Sequence, residues 1–390
     1  MSTVSAWAYF SDCAWSEIIS VRANDELYKE GLRLLSDKNY DKAISILSRA
    51  RAQGSTEVGV LVARGDAYYK LLRYPEALRD LSDALKEKPN HVYGLFLRAA
   101  IYDGVGQTHD AINDLRKIIS MDPQNKTAYR LRGAGYLTLK EWDRALVDFN
   151  RAVALGEHTD GLYQNRALAH ENLGHYDEAI SDFSRSLELK PGHRGSLAHR
   201  GWMYLCLGDL DKGLEDLNTL ILQSPNDMSA RVRRGWTYLA LKNFSAASSD
   251  LTYAIERKSE LPLAYLNLAA VYYEAGDQEK ALTTNAKIFL LPGKPILLDA
   301  FFQKGLILLG MNKDEEANAI YFQGRSLAEE TSDWAGLESG IEDLRVAIKS
   351  AKANPQTAEQ ILRSLQEVEK KRKSSFHTQA HNDRCRRLIM

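Results

Sequence analysis

Short stretches of helical periodicity alternate with turns along this chain, and the alternation returns every 34 residues. In the segment 163–191, two apolar runs with helical spacing are separated by a Leu-Gly-His-Tyr-Asp turn and closed by Pro191. Apolar residues that recur every three to four positions predict amphipathic helices, while glycine and proline predict where those helices end. The pattern therefore predicts a repeated helix–turn–helix, which grows along one axis without separate domain cores.

Small residues mark one position in the first predicted helix of nine successive units. They are Gly31, Gly65, Ala99, Gly133, Ala167, Gly201, Gly235, Ala269 and Gly305. A second small residue follows each of them by twelve positions, and a large apolar residue follows most of these second residues by four. Small side chains at such paired positions let two antiparallel helices approach closely, so each unit is predicted to be one helix pair.

This frame resembles the tetratricopeptide repeat, a 34-residue helix–turn–helix with small, aromatic and proline positions of this kind. The resemblance covers 24–330 and implies an all-α fold, a right-handed superhelical solenoid of about nine repeats, with the first helices lining a concave groove. Around the repeats we expect an N-terminal cap segment at 1–23 and C-terminal capping helices at 331–373. The polar, basic composition of 374–390 predicts a disordered tail.

Charged residues also recur in six successive units. An arginine stands directly before the first small residue, at Arg64, Arg98, Arg132, Arg166, Arg200 and Arg234. An aspartate stands three residues after the second, at Asp80, Asp114, Asp148, Asp182, Asp216 and Asp250. Because both charges are missing from the first and eighth units, we expect them to pair, within a unit or between neighbours, and to fix how the helices stack. The alternative is that the arginines receive an anionic ligand.

The resemblance places three positions of each first helix in the groove, and these positions are mostly aromatic or apolar with a few charges. The candidate partner-binding residues are Tyr69, Phe96, Trp202, Trp236, Tyr273, Phe302, Asp66, Asp103, Arg130, Gln164, Leu168 and Glu171. Trp202 and Trp236 hold equivalent positions in adjacent units, and aromatic side chains are favoured anchors for partners. The alternative, given equal weight, is that both tryptophans fill space between helices.

These residues favour a non-enzymatic protein–protein interaction scaffold that binds a peptide or a partner helix of basic and apolar character. Some proteins of the resembled family hold chaperone C-terminal tails in a carboxylate clamp, which needs lysine and asparagine at groove positions where none of the nine units has them. A chaperone tail is therefore not expected. Two alternatives stay open: self-association with the groove self-occupied, and an RNA-associated or nuclear scaffold that acts through the basic tail.

Composition adds little to this interpretation. A formal net charge of −1 gives no overall attraction to nucleic acid or to an anionic membrane, so neither is an expected partner. The sequence has no glycine-rich phosphate loop, nucleophile elbow or metalloprotease helix. We therefore expect no catalytic residues, no cofactor and no metal.

The expected location is the cytoplasm. The apolar segment Val4–Val21 contains Asp12 and Glu17 and lacks a basic leader, so it is a poor signal peptide or membrane span. The three cysteines are too few and too scattered for a disulfide framework, which favours a reducing compartment. The basic run Lys370–Lys373 is also compatible with nuclear import.

Overall fold

The structure is a computed structural model that describes residues 26–52, 58–257, 260–291, 298–350 and 354–373. In these ranges the chain forms twenty α-helices and one short 3-10 helix, Lys287–Leu290, and no strand. The predicted all-α class is confirmed. The chain divides into two compact units, Met1–Leu173 and Gly174–Met390, which are described separately.

Nine helices make up the described part of the first unit. They are α1 (Glu26–Ser36), α2 (Tyr40–Ala52), α3 (Val58–Lys70), α4 (Tyr74–Glu87), α5 (Val92–Gly104), α6 (Thr108–Met121), α7 (Lys126–Thr138), α8 (Trp142–Ala154) and α9 (Asp160–Asn172). Consecutive helices pack as pairs, α1 with α2 through α7 with α8. The first helix of a pair also contacts the first helix of the next pair, as α1 does with α3 and α7 with α9.

The second unit continues the same arrangement. Its helices are α10 (Tyr176–Leu189), α11 (Arg194–Leu207), α12 (Leu210–Gln223), α13 (Met228–Ala240), α14 (Phe244–Arg257), α15 (Pro262–Glu274), α16 (Gln278–Ala286), α17 (Leu298–Gly310), α18 (Asp314–Thr331), α19 (Trp334–Lys349) and α20 (Pro355–Lys373). First helices again lie side by side, α13 against α15, α15 against α17 and α17 against α19. Helix α19 thus extends the layer of first helices, and α20 packs on both α18 and α19.

The turn inside each repeat contains one residue in the left-handed backbone region. These residues are Lys38, Leu72, Gly106, Lys140, Gly174, Gly208, Lys242, Gly276 and Asn312, with φ between 57° and 85°. They recur every 34 residues until a last step of 36, which is the periodicity of the sequence expressed in the backbone. Glycine adopts this conformation without a steric cost, whereas the lysines and Leu72 carry some strain.

Glycine at the first small position is explained by its neighbour sixteen residues later. A Cβ added to Gly133 would lie 2.7 Å from a ring carbon of Phe149, and one added to Gly235 would lie 2.7 Å from Leu251. Both large residues are fully buried. The predicted close approach of the two helices in a pair is therefore confirmed in these repeats.

Five of the six predicted arginine–aspartate pairs form within a repeat. The pairs are Arg64–Asp80, Arg98–Asp114, Arg132–Asp148, Arg200–Asp216 and Arg234–Asp250. In each pair, Nε and Nη2 of the arginine donate to the two carboxylate oxygens, at 2.6–2.9 Å. Arg166 and Asp182 belong to different units, and their pairing stays a prediction.

Arg64, Arg200 and Arg234 also reach the preceding repeat through a third hydrogen bond, which the sequence reasoning did not anticipate. Nη1 of Arg64 donates to Ser48 at 3.0 Å, and Nη1 of Arg234 donates to Asn218 at 2.7 Å. Each acceptor lies sixteen residues before its arginine, on the second helix of the previous repeat. One guanidinium therefore ties three helices together, which fixes the stacking register and leaves these groups occupied rather than open to an anionic ligand.

Several predictions concern residues outside this description. The predicted cap segment at 1–23 and the tail at 374–390 lie outside the described residues, and the right-handed superhelix stays a prediction. None of the described helices is both long enough and apolar enough to span a membrane. The expected cytoplasmic location stays a prediction.

Candidate partner-binding site

All twelve candidate residues lie on first helices, but they differ in how far they reach the surface. Six keep a partly exposed side chain: Tyr69, Asp103, Gln164, Leu168, Glu171 and Trp236. Tyr273 is also only half-buried. The other five, Asp66, Phe96, Arg130, Trp202 and Phe302, are buried. The predicted register is therefore a mixture of surface and core positions.

Asp66 lies inside the first unit. Its side chain is 6% exposed, and the Tyr93 hydroxyl on α5 donates a hydrogen bond to Oδ2 at 2.9 Å. Oδ1 is buried without a hydrogen-bond partner among the described residues. Burial raises the pKa of Asp66, which favours the neutral acid. The expectation that Asp66 offers a charge to a partner is corrected: this carboxyl is an internal group that joins α3 to α5.

Arg130 is likewise an internal residue. Its Nε donates to Oε1 of Glu157, which lies between α8 and α9, and both side chains are buried. The pair neutralises the one arginine that the sequence placed in the groove, so Arg130 does not present a free cation to a partner. Sequence reasoning missed Glu157 because it lies in a turn outside the repeated frame.

Phe96 and Phe302 belong to the core. Phe96 is 8% exposed and packs in a cluster with residues of α5, α6 and α7. Phe302 is 2% exposed, and its ring stacks on Tyr321 with centroids 5.8 Å apart. Gly324 and Gly340 leave the space that the Phe302 ring fills, because a Cβ at either position would meet that ring. The prediction that Phe302 anchors a partner is corrected, since α19 covers it.

The two tryptophans have equivalent positions but different surroundings. Trp202 is 9% exposed, and the Arg233 guanidinium of α13 lies 5.5 Å from the centre of its ring. Arg233 also donates to the carbonyl of Ala198 at 3.3 Å, so it joins α13 to α11. Trp236 is only half-buried. Trp202 therefore fills space between helices, while part of the Trp236 ring stays accessible.

The remaining accessible candidates combine aromatic and acidic character. The Tyr69 ring centre lies 6.2 Å from that of Tyr74, and burial raises the pKa of Tyr69. Burial also raises the pKa of Asp103. In the second unit, burial raises the pKa of Tyr273 to about 12. Aromatic rings that are half covered by their own helix layer leave apolar surface for a partner.

Two acidic residues of the second unit were missed by the sequence reasoning. Asp299 on α17 is half-buried and Asp343 on α19 is exposed. Burial, followed by the nearby Asp333 and Asp343, raises the pKa of Asp299 to about 7. Neither position belongs to the three groove positions carried over for each repeat, and α19 was assigned only a capping role.

Among the described residues, no group of three or more His, Cys, Asp or Glu could hold a metal ion.

The helix pairs stack with small residues at their contacts, and partly exposed aromatic side chains lie along the first helices. These features define a helical-repeat protein of the solenoid class. The chain belongs to the tetratricopeptide repeat family: models of this repeat match residues 62–104, 101–158, 162–193 and 232–295. The family as a whole serves protein–protein interaction. A comparison with curated proteins gives no match.

Solved structures of repeat proteins are similar to parts of the chain. YrrB, described as a TPR protein with an unusual peptide-binding site, is 22% identical, with 47% of this chain and 95% of that chain covered and a TM-score of 0.44. A tetratricopeptide repeat protein from Parabacteroides merdae is 21% identical, with 63% and 97% covered and a TM-score of 0.47. TTC0263 from Thermus thermophilus is 23% identical, with 47% and 100% covered and a TM-score of 0.37.

Proposed function

We propose that this protein is a non-enzymatic scaffold whose layer of first helices binds a peptide or a helix of a partner protein. One observation carries the proposal. Tyr69, Trp236 and Tyr273 remain partly exposed on first helices, at the register that the family uses for its groove. Large aromatic side chains on first helices supply contact area with little loss of conformational entropy, so they are favoured anchors for a partner.

Trp236 is the residue that tests this proposal most cleanly. Trp202 is buried against Arg233, so its removal would weaken the fold together with any binding. Trp236 is half-buried, and its truncation should affect the unit less. A matched control is Phe322→Ala, because Phe322 is an aromatic residue that is 65% exposed on a second helix, α18.

The experiment is selection of a displayed library of random dodecapeptides on the immobilised full chain. We expect Trp236→Ala to lower the affinity of the enriched peptides at least tenfold, as truncation of an aromatic anchor does in other interfaces. Phe322→Ala should leave affinity unchanged. Equal affinity in the wild type and Trp236→Ala, with both proteins folded by circular dichroism, would argue against binding on this face.

The location, an RNA-associated function and self-association are further proposals. A cytoplasmic location, with nuclear import through Lys370–Lys373 as the alternative, is tested by imaging the tagged full chain. An RNA-associated function through 374–390 is tested by deleting that segment and measuring RNA retention. Self-association is tested by the concentration dependence of the sedimentation coefficient. Catalysis is not proposed.

A further inference from the structure

We infer that the groove between α19 and α20 is a self-association surface, on which the same groove of a second copy of this chain packs across a two-fold axis. The inference gives a site to the proposed self-association. It concerns other residues than the peptide-binding proposal does, because Tyr69, Trp236 and Tyr273 lie on other helices. The two claims can therefore fail independently.

The position of the groove follows from the stacking of the repeats. Each second helix before α20 is covered by the first helix of the next repeat, as α4 is by α5, α12 by α13 and α18 by α19. Leu85 on α4 shows the effect, since it is 7% exposed and lies in one buried cluster with Leu95 of α5. Among the described residues α20 is the last helix, so no further first helix covers the α19–α20 pair.

The uncovered side of this pair is a groove of about 640 Å³ that both helices line. Ile348 of α19 and Leu362 of α20 are its apolar residues. Both pack against the core of α17–α20, yet both side chains stay partly exposed. Apolar side chains on this side of a pair are covered in earlier repeats, and covering these two would remove further apolar area from water.

The charges along the groove have the same order on both helices. On α19, Glu342 comes before Arg345 and Lys349, and on α20, Glu359 comes before Arg363. Each helix therefore presents an acid nearer its N-terminus and a base nearer its C-terminus. A two-fold axis perpendicular to α20 sets it antiparallel to α20 of a second copy, which brings the acids of one copy opposite the bases of the other. The groove is thus complementary to itself, and this order selects a second copy as the occupant.

These charges make only weak contacts inside the chain. Arg363 pairs with Glu359 at 3.7 Å, and the Arg363 side chain is 78% exposed. Arg345 pairs with Glu342 at 3.2 Å, with side chains that are 42% and 56% exposed. Exposed pairs between residues three or four apart on one helix contribute little to stability. The same groups can therefore turn toward a second copy at little cost.

A basic segment fits this groove less well than a second copy does. The segment 374–390, which follows α20, has three arginines and one aspartate. The groove itself is lined by three basic and two acidic side chains, so an arginine-rich segment would meet more like charges than opposite ones. Juxtaposed like charges weaken an association and exclude wrong partners.

Sedimentation velocity of the full chain over a range of concentrations tests the inference. We expect the wild type to pass from monomer to dimer as its concentration rises. Arg363→Glu and Glu359→Arg should each lower the association constant by about tenfold or more, because each sets like charges against one another across the axis. The matched control is Arg185→Glu on α10, since Arg185 is also an exposed base paired with an acid on its own helix, Glu188. This variant should dimerise as the wild type does.

A mixture of the two groove variants gives the sharpest result. Arg363→Glu leaves acids at both positions of α20, and Glu359→Arg leaves bases at both. Each variant should be mostly monomeric alone, whereas an equimolar mixture should form a heterodimer at least as readily as the wild type forms its homodimer. An effect on the fold of either variant cannot produce this rescue. Circular dichroism of each variant confirms that it is folded.

Three results would overturn the inference. The first is a wild type that sediments as a monomer up to its solubility limit, and the second is a dimer that Arg363→Glu does not weaken. The third is a mixture of the two groove variants without heterodimer. If deletion of 374–390 turns a monomeric wild type into a dimer, the groove belongs to that segment instead. Peptide binding should be the same in Arg363→Glu and the wild type, so the fate of the proposed function is read separately from Trp236→Ala.

Discussion

At the scale of single residues, the arginine–aspartate ladder connects the sequence pattern to the stacking of repeats. Arg98 shows the arrangement in its simplest form, with two hydrogen bonds to Asp114 at 2.7 and 2.8 Å. The hydrogen bonds that Arg98 donates to Asp114 raise the pKa of Arg98 above its ordinary value, so the guanidinium stays charged. The side chain of Asp114 is only 9% exposed and depends on this arginine.

We predict that Arg98→Ala lowers the free energy of unfolding by about 2–3 kcal/mol, between the values for exposed and fully buried pairs, because it leaves the Asp114 carboxylate unpaired. Urea denaturation measures the loss. Arg144→Ala is the control: Arg144 is 65% exposed in its pair with Glu141, and its loss should cost at most about 1 kcal/mol.

A double-mutant cycle makes the ladder prediction sharper. Arg98→Ala/Asp114→Ala should be less destabilising than the sum of the two single variants, since removing both partners leaves no buried charge. Additive losses, or an Arg98→Ala variant as stable as the wild type, would show that the pair does not hold the stack.

Much of this residue-level detail could be predicted from the sequence, and the exceptions have physical causes. The arginine and aspartate positions follow from the register, because a strict repeat makes a pair visible six times over. The partners Ser48 and Asn218 were also in register, but their identity varies between repeats, so no single residue type revealed them. Glu157 lies in a turn, where periodicity gives no information, and its bond to Arg130 was invisible to the pattern.

At the scale of the helix, burial separates residues that the repeat register places in the same class. Position within the repeat put Trp202 and Trp236 in the same class, yet Arg233 covers the first and the second stays half-buried. The repeat register also placed Phe302 in the groove, while the helix that became α19 was expected only to cap the repeats. Since α19 continues the layer of first helices, it covers Phe302 and brings Asp343 into the neighbourhood of α17.

Helix α17 also offers a prediction on pH. Asp299 has an ordinary pKa of 3.8 in the unfolded chain and about 7 in the folded unit. A raised carboxyl pKa means that the folded state binds the proton more tightly, so this contribution to stability is full below pH 4 and is lost as pH rises through 7. Asp299→Asn should therefore raise the melting temperature at pH 8 and change it much less at pH 5.

Thermal denaturation at the two pH values checks this expectation, with Asp211→Asn, a charge removal on exposed residue Asp211 of α12, as a control that shifts neither value. A variant that melts at the wild-type temperature at pH 8 would show that the carboxyl is not held protonated by its surroundings.

At the scale of the whole molecule, a solenoid distributes its stability over contacts between neighbouring repeats instead of one central core. The buried clusters follow that rule. One of them includes Leu298, Phe302, Leu344 and Leu365, and its buried members lie on α17–α20. Because α19 and α20 lie at the end of the described repeats, they cover apolar surface of α17 and α18 that would otherwise meet water.

The consequence is a local response to mutation at this end. Leu344→Ala removes a fully buried side chain and should cost about 2–5 kcal/mol in the packing of α17–α20. In hydrogen exchange, the amides of these four helices should exchange faster while those of α11 and α12, in the same unit, keep their protection. Val346→Ala changes a residue of α19 that is 55% exposed and should alter neither region. Faster exchange in α11 and α12 as well would mean that the second unit unfolds as one cooperative block, and that the nearest-neighbour account of this solenoid is wrong.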